Sequence, residues 1–368
     1  MRRSSIGILA ALSRAARVAA FALFALPTRA ETIRTLRVEL AGDEVSHFAV
    51  ENLAGTMRIV PGNERSVVAI ATVHAEDARK AESLRFERVA GEQGAATVRV
   101  RYPEGLRTIR YRGPSDQGED WFLDFGLSGN RYDYDGHTYR VRRSHGAGTW
   151  ADVEVRVPAR TIGARFENLV GLVEAEQIQG RLRFEVRSAD LKLHRLSGEL
   201  DLDGTSGDTR AREIRGTWKS HFSSGDLDLE GFDGDSLTLH TSSGDIVARG
   251  VRAGRVAVET SSGDVSLRES DIEELVAHAS SGDISLDSNG ARLRNVRAHT
   301  SSGNVTLRLP RDASFEADAD QSSGDMEVAF SDGSPVRRHE RLVGFRRGSG
   351  GARIFVETSS GDLTLEPR

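Results

Sequence analysis

The tetrapeptide Ser-Ser-Gly-Asp, or a near variant, recurs with its glycine at Gly207, Gly225, Gly244, Gly263, Gly282, Gly303, Gly324 and Gly361. Successive markers lie 18 to 21 residues apart, except for a last interval of 37, close to two periods. Repetition at such a period constrains the fold before any single element does. One repeat is one supersecondary unit, and it buries its apolar face only by stacking on the next. Counting back by 18 from Gly207 reaches Ala189, and by 18 again Gly171, so the repeat covers at least residues 164–366.

Every period shares one grammar. Seven and five residues before the marker stand apolar pairs such as Leu200 and Leu202, Leu237 and Leu239, Val256 and Val258. Two and four residues after it stands a second set, such as Leu227 and Leu229 or Val265 and Leu267. Alternation of this kind marks a strand with one buried face. A lone apolar residue further on (Ile178, Leu196, Ile214, Phe232, Val251) marks a shorter return. The expected fold is all-β: a single-stranded parallel β-helix (β-solenoid), right-handed, with 18 to 21 residues per coil. Neighbouring coils would pair at about 4.8 Å. An antiparallel sandwich also has short strands and frequent turns, but it has no reason to repeat one corner tetrapeptide at a nearly fixed interval.

Glycine at the corner supplies the positive φ of a tight turn. The aspartates after it (Asp226, Asp245, Asp264, Asp283, Asp325, Asp362), with Asn304 in the same place, can accept backbone N–H groups as in Asx turns. The alternative is a row of calcium ions relieving repulsion between stacked carboxylates.

The chain opens with Met1-Arg2-Arg3, an apolar run that includes Ala19 to Leu26, and then Pro27 to Ala30. This is the pattern of an export signal peptide over residues 1–30. Arg14 and Arg17 interrupt the run, and no later stretch reaches the length of a transmembrane segment. Removing residues 1–30, with five arginines and no acid, takes the formal charge from −5 to −10, which argues against nucleic acid as a partner. The absence of cysteine excludes disulfides and thiolate-bound metals. Residues 31–160 are expected to form irregular first coils with an aromatic-rich insertion at 110–150, and Asp77 to Leu84 a short helix. Residues 161–368 are expected to form regular coils with a polar insertion at 331–350.

The insertion at 110–150 holds four of the five tyrosines and two of the three tryptophans. Tyr and Trp give contact area at modest entropy cost, so Trp121, Phe122, Tyr132, Tyr134, Tyr139 and Trp150 are the candidate ligand-binding residues. The plainer alternative is a hairpin folded against the rod, its aromatics covering a wall. Asn130, Asp133, Asp135 and Gly136 offer oxygen ligands for calcium, without an EF-hand pattern. The residue four before each marker points outward, giving in sequence order Glu167, Glu185, Asp203, His221, His240, Glu259, His278, His299, Asp320 and Glu357. That row is either a solvated sheet face or a strip for a transition metal or protons. No metalloprotease, phosphate-loop or nucleophile-elbow motif is present, and a repeated Ser-Ser-Gly-Asp gives no serine a privileged environment. No catalytic residue, cofactor or metal is assigned.

Several segments together resemble the bacterial DUF4097 family of adhesin-like proteins, and more distantly the head-domain autotransporter adhesins. They are Val50 to Gly55, the strand ending at Pro158, the Thr-Ser-Ser-Gly-Asp units at Thr241 and Thr260 with Thr300, and the closing segment from Leu342 to Leu363. The motifs span nearly the whole chain after residue 30. The resemblance implies a non-enzymatic, exported β-solenoid, an adhesin or binding scaffold in the periplasm or at the surface of a Gram-negative cell, with a protein or glycan partner. Two functions compete with it. One is an envelope structural or signalling accessory; the other is a carbohydrate-active enzyme using outward carboxylates at catalytic separation.

Overall fold

The computed structural model describes residues 31–368 apart from 64, 92–93, 104, 114–129, 145 and 290–291. The expected signal peptide at 1–30, and Trp121 and Phe122 of the insertion, lie outside the described residues. Among the described residues, nine strands come before residue 160. They are β1 (Thr32–Ala41), β2 (His47–Pro61), β3 (Ser66–Ala75), β4 (Arg85–Ala90), β5 (Ala96–Arg101), β6 (Thr108–Tyr111), β7 (Asn130–Tyr134), β8 (His137–Arg143) and β9 (Trp150–Val157). The short helix expected near residues 77–84 is present as α1 (Ala78–Ser83), with the Asp77 carboxylate accepting the Lys80 N–H at 2.9 Å as its N-cap.

Of the described strands in residues 31–109, β2 enters the coil stack as a long parallel rung, and β5 lies parallel to its first half. β1 pairs antiparallel with β3, and β3 antiparallel with β9. β9 runs parallel to the second half of β2, while β5 runs parallel to its first half and carries the antiparallel β4. An open solenoid end presents unpaired N–H and C=O groups to any passing strand. The antiparallel strands close that end.

The regular stack continues from β2 through β10 (Arg160–Glu176), β11 (Gln179–His194), β12 (Ser197–Ser206), β13 (Thr209–Ser224), β14 (Leu227–Ser243), β15 (Ile246–Ser262) and β16 (Val265–Ser281). It goes on through β17 (Ile284–Ser288), β18 (Asn295–Ser302) and β19 (Val305–Leu309). All these pairings are parallel and the corner markers stay in register, so the fold is a parallel β-solenoid with the coil length expected from the repeat. The inward residues form continuous buried rows; Leu239, Val258, Ala277 and Ala298 stack in one of them and are each at most 2% exposed. At the corners the aspartates do not close local Asx turns. Within the stack the carboxylate accepts the backbone N–H of the corner residue one coil on: Asp245 from Asp264 (2.8 Å), Asp264 from Asp283 (2.8 Å), Asp283 from Asn304 (2.7 Å). An amide oxygen does the same work, which explains why Asn304 is at home in the row.

The far end departs from sequence order. The remaining strands are β20 (Phe315–Ser323), β21 (Met326–Val328), β22 (Ser334–Arg338), β23 (Arg341–Arg347), β24 (Ala352–Ser360) and β25 (Leu363–Pro367). β24 pairs with β18 on one side and β20 on the other, and β25 lies between β19 and β21. The Gly361 coil therefore sits between those of Gly303 and Gly324. The polar segment expected as an insertion at 331–350 supplies the hairpin β22–β23, and β23 pairs antiparallel with the outer edge of β20. Exposed β22, with Pro335, Arg337 and Arg338, forms a charged, proline-bearing edge that resists further pairing.

Candidate functional site

On the strands that follow each marker, the third and fifth residues point outward. Over the first rungs they are mostly charged: Glu154 and Arg156 on β9, Arg58 on β2, Glu174 and Glu176 on β10, Lys192 and His194 on β11, Arg210 and Arg212 on β13, and Asp228 and Glu230 on β14. They line three adjoining cavities of 680, 410 and 480 Å³. The first two share Arg58, Glu174 and Lys192, and the last two share Arg210, Arg212, Asp228 and Glu230, so the three make one groove. Its charges are largely paired along and across the rungs: Arg156 with Glu154 (2.6 Å), Arg58 with Glu176 (3.6 Å), Lys192 with Glu174 (3.6 Å) and Arg212 with Glu230 (3.2 Å).

The end of the groove near the cap is closed by β3, β9 and the Arg112–Gly113 segment. There the His74 ring stacks on Trp150 at 4.6 Å and 8°, with Tyr111 edge-on to the indole at 5.9 Å. His74 Nε2 lies 3.0 Å from Asp152 Oδ2, and Nδ1 lies 3.5 Å from Glu31 Oε1. Asp152 is itself fixed, since its Oδ1 accepts the Thr56 N–H at 2.7 Å. Burial alone would lower the His74 pKa, but the hydrogen bond and charge of Asp152, with Glu31, outweigh it and hold the imidazole above its ordinary value. Carboxylates facing both nitrogens favour the imidazolium: Nε2 is within hydrogen-bonding distance of Asp152, while at Nδ1 Glu31 acts through its charge, without a hydrogen bond.

The candidate aromatic residues go two ways. Trp150 lines the groove but is only 4% exposed, sandwiched by His74 and Tyr111. Tyr132, Tyr134 and Tyr139 are buried in the core. They belong to a separate three-stranded sheet, β6–β8–β7, laid against the rod. Tyr132 shares a 2.8 Å hydrogen bond with Ser188 Oγ, and the Tyr134 hydroxyl sits within 2.8 and 3.1 Å of the Val100 and Glu51 carbonyls. With Tyr102 the rings of Tyr134 and Tyr139 form a cluster at 6.1 to 6.5 Å. Their faces pack inward, as in the covering hairpin weighed as the plainer alternative. The signal was the alternation Arg-Tyr-Asp-Tyr at 131–134, which is the period of a strand with one buried face. Asp135, considered above as a calcium ligand, instead accepts a 2.5 Å hydrogen bond from Arg99.

The acid and histidine row is in register from Glu51 through Glu167, Glu185, Asp203, His221, His240, Glu259, His278 and His299, then Glu357 and finally Asp320. The last two exchange the places that sequence order assigned them. His221 and His240 stack at 4.5 Å and 9°, which points their nitrogen lone pairs side by side; His278 and His299 lie at 5.6 Å and 41°. A shared zinc ion needs nitrogens converging to about 2.0–2.1 Å from it. Among the described residues, no group of three or more His, Asp or Glu has the geometry to hold a metal. At the other end of the row Arg165 bonds Glu51, Glu167 and Glu185. Burial, then the charge of Glu51, pushes the Glu167 carboxyl up.

The family model described as Toastrack DUF4097 matches residues 147–366. No curated protein matches the chain. Similar solved structures include a "putative cell adhesion protein" from Clostridium sporogenes (8% identity, TM-score 0.20, 92% of this chain and 100% of that one). Others are a "putative adhesin" from Bacteroides fragilis (10%, TM-score 0.38, 90% and 97%) and a "putative lipid binding protein" from Parabacteroides distasonis (10%, TM-score 0.33, 90% and 96%). The matched segment is shorter than the nearly whole chain spanned by the motifs. It begins just before β9, so β1 to β8 lie outside it, and with them Glu31, His74 and Arg112 of the groove. From β9 to β25, through the stacked coils and their Ser-Ser-Gly-Asp corners, the chain belongs to the DUF4097 (Toastrack) family.

Proposed function

We propose that the protein is an exported, non-enzymatic binding scaffold of the Gram-negative envelope, in the periplasm or at the surface, whose groove holds an extended polar partner, a glycan or a protein segment. The observation that carries this is the continuity of the groove over β9, β2, β10, β11, β13, β14 and β15. At about 4.8 Å per rung it is on the order of 30 Å long, which suits a linear chain better than a compact metabolite. Its rims offer donors and acceptors at a fixed pitch. Its carboxylates are mostly engaged with arginine or lysine, an arrangement suited to recognition rather than proton transfer. The carboxyl with a raised pKa, Glu167, is bonded by Arg165 and does not line the groove.

Three measurements test the proposal. N-terminal sequencing of the protein recovered from an envelope fraction should begin at Glu31. Purified protein should bind immobilised envelope polysaccharides or envelope protein extracts, and Lys192→Glu with Arg210→Glu should weaken that binding at least tenfold while leaving circular dichroism unchanged. Binding indifferent to both replacements, or lost instead with His240→Gln on the opposite row, would overturn the groove as the site.

A further inference from the structure

The rung that fills the gap between the Gly303 and Gly324 coils comes from the end of the chain. After Leu309 a turn, closed by the Ala313 N–H to the Pro310 carbonyl at 2.9 Å, leads into β20 and β21. The chain then makes the β22–β23 hairpin before it returns as β24 and β25. Phe315, at the start of β20, pairs with Arg347 of β23 on one side and with Ala352 of β24 on the other. The four residues Gly348 to Gly351 thus cross two strand spacings, about 10 Å. Three of them are glycines with φ of 73°, 91° and 109°, and a Cβ on Gly351 would stand 1.9 Å from the Ser314 carbonyl oxygen. The hinge is short and tightly packed.

We propose that the slot between β18–β19 and β20–β21 is an interaction surface for the same rung, residues 352–367, of a second copy, so that two molecules can exchange their C-terminal rungs. The exchanged and closed forms make the same ladder and bury the same side chains, and they differ only at the hinge. A short hinge under strain favours exchange. Order of synthesis works in the same direction: β20 and β21 have no coil beneath them until the last residues arrive, so during folding the slot is open to whichever copy reaches it first. The corner ladder admits a rung of this kind. The residue 362 N–H donates to Asn304 Oδ1 (3.0 Å), and Asp362 Oδ1 accepts from the Asp325 N–H (2.8 Å), so the slot suits a rung carrying this corner.

The chain has no cysteine, so a designed pair is unambiguous. Thr306 and Thr364 are direct partners on adjoining strands. The Thr306→Cys, Thr364→Cys protein is refolded at about 1 µM and about 100 µM, oxidised, and examined by non-reducing electrophoresis and light scattering. The expected result is internally linked monomer at low concentration and covalent dimer at high concentration. Gly350→Ala, whose Cβ would meet no atom but which the closed hinge holds at a φ of 91°, should raise the dimer fraction severalfold at equal concentration. As a control for misfolding of the double variant, Thr306→Cys chains are refolded together with Thr364→Cys chains, and exchange alone links one to the other. Monomer at every concentration with and without Gly350→Ala, dimer without interchain 306–364 linkage, or a dimer fraction insensitive to Gly350→Ala would overturn the proposal.

Discussion

Replacing Gly263 with alanine tests the close approach of neighbouring coils at the corner. A Cβ there would lie 2.2 Å from the Gly244 carbonyl oxygen and 2.6 Å from its carbon, where ordinary contact begins well beyond 3 Å. The atoms in the way are backbone, so relief requires the two rungs to part by about 1 Å at the corner, stretching hydrogen bonds worth about 1 kcal/mol each. Those at risk include the Gly263 N–H to Ser281 O and Gly244 N–H to Ser262 O bonds, at 3.1 and 2.9 Å. Holding alanine at φ 139° adds about 1–3 kcal/mol. Together the expected loss is about 3–5 kcal/mol. The control is Ala189→Gly: Ala189 occupies the same corner in an earlier coil without a positive φ, and the change there should cost only about 1 kcal/mol. Urea unfolding followed by far-ultraviolet circular dichroism measures both, with an unchanged m-value required for the comparison. A loss below about 1 kcal/mol for Gly263→Ala would show that the coils separate freely at their corners and would refute the steric account.

Other outcomes follow from the same contacts. Asp264→Asn keeps an acceptor for the Asp283 N–H and removes one of a row of like charges, so it should leave the urea midpoint unchanged or raise it, whereas Asp264→Ala should cost about 1–2 kcal/mol. Deleting residues 352–368 should remove two rungs rather than one, since β20 and β21 lose their partner; amide exchange should show 315–347 unprotected while 164–288 stay protected. The imidazolium of His74, with its pKa raised in the folded state, contributes stability that is fully present below the unfolded value of about 6.5 and is lost as pH rises through the folded value. The Tm should therefore fall across that window at constant salt, and His74→Gln should flatten the dependence.

The repeat period specified the coil, the inward rows and the corner because each is a local property of 18 to 21 residues, stated many times over. Rung order is a different kind of information. The interval of 37 between Gly324 and Gly361 is compatible with a long insertion in a sequential stack, and the corner tetrapeptide is the same whichever coil lies next to it. What distinguishes the coils is their fitness for an end. Residues 315–328 alternate with Asp318, Asp320 and Glu327, and Ala319 and Val328 are only half-buried, whereas Val356, Leu363 and Leu365 of the last coil are completely enclosed. A coil with solvent on one side tolerates a thinner core, so the weaker coil takes the outside and the stronger one moves in beneath it. The groove was illegible for a related reason. His74, Trp150 and Asp152 meet only because antiparallel β3 is laid across β9, and Arg58, Glu174 and Lys192 become neighbours only because Gly55, Gly171 and Ala189 share one corner row. Each looks like an ordinary outward charge on an alternating strand, and the site exists in the stacking rather than in any segment.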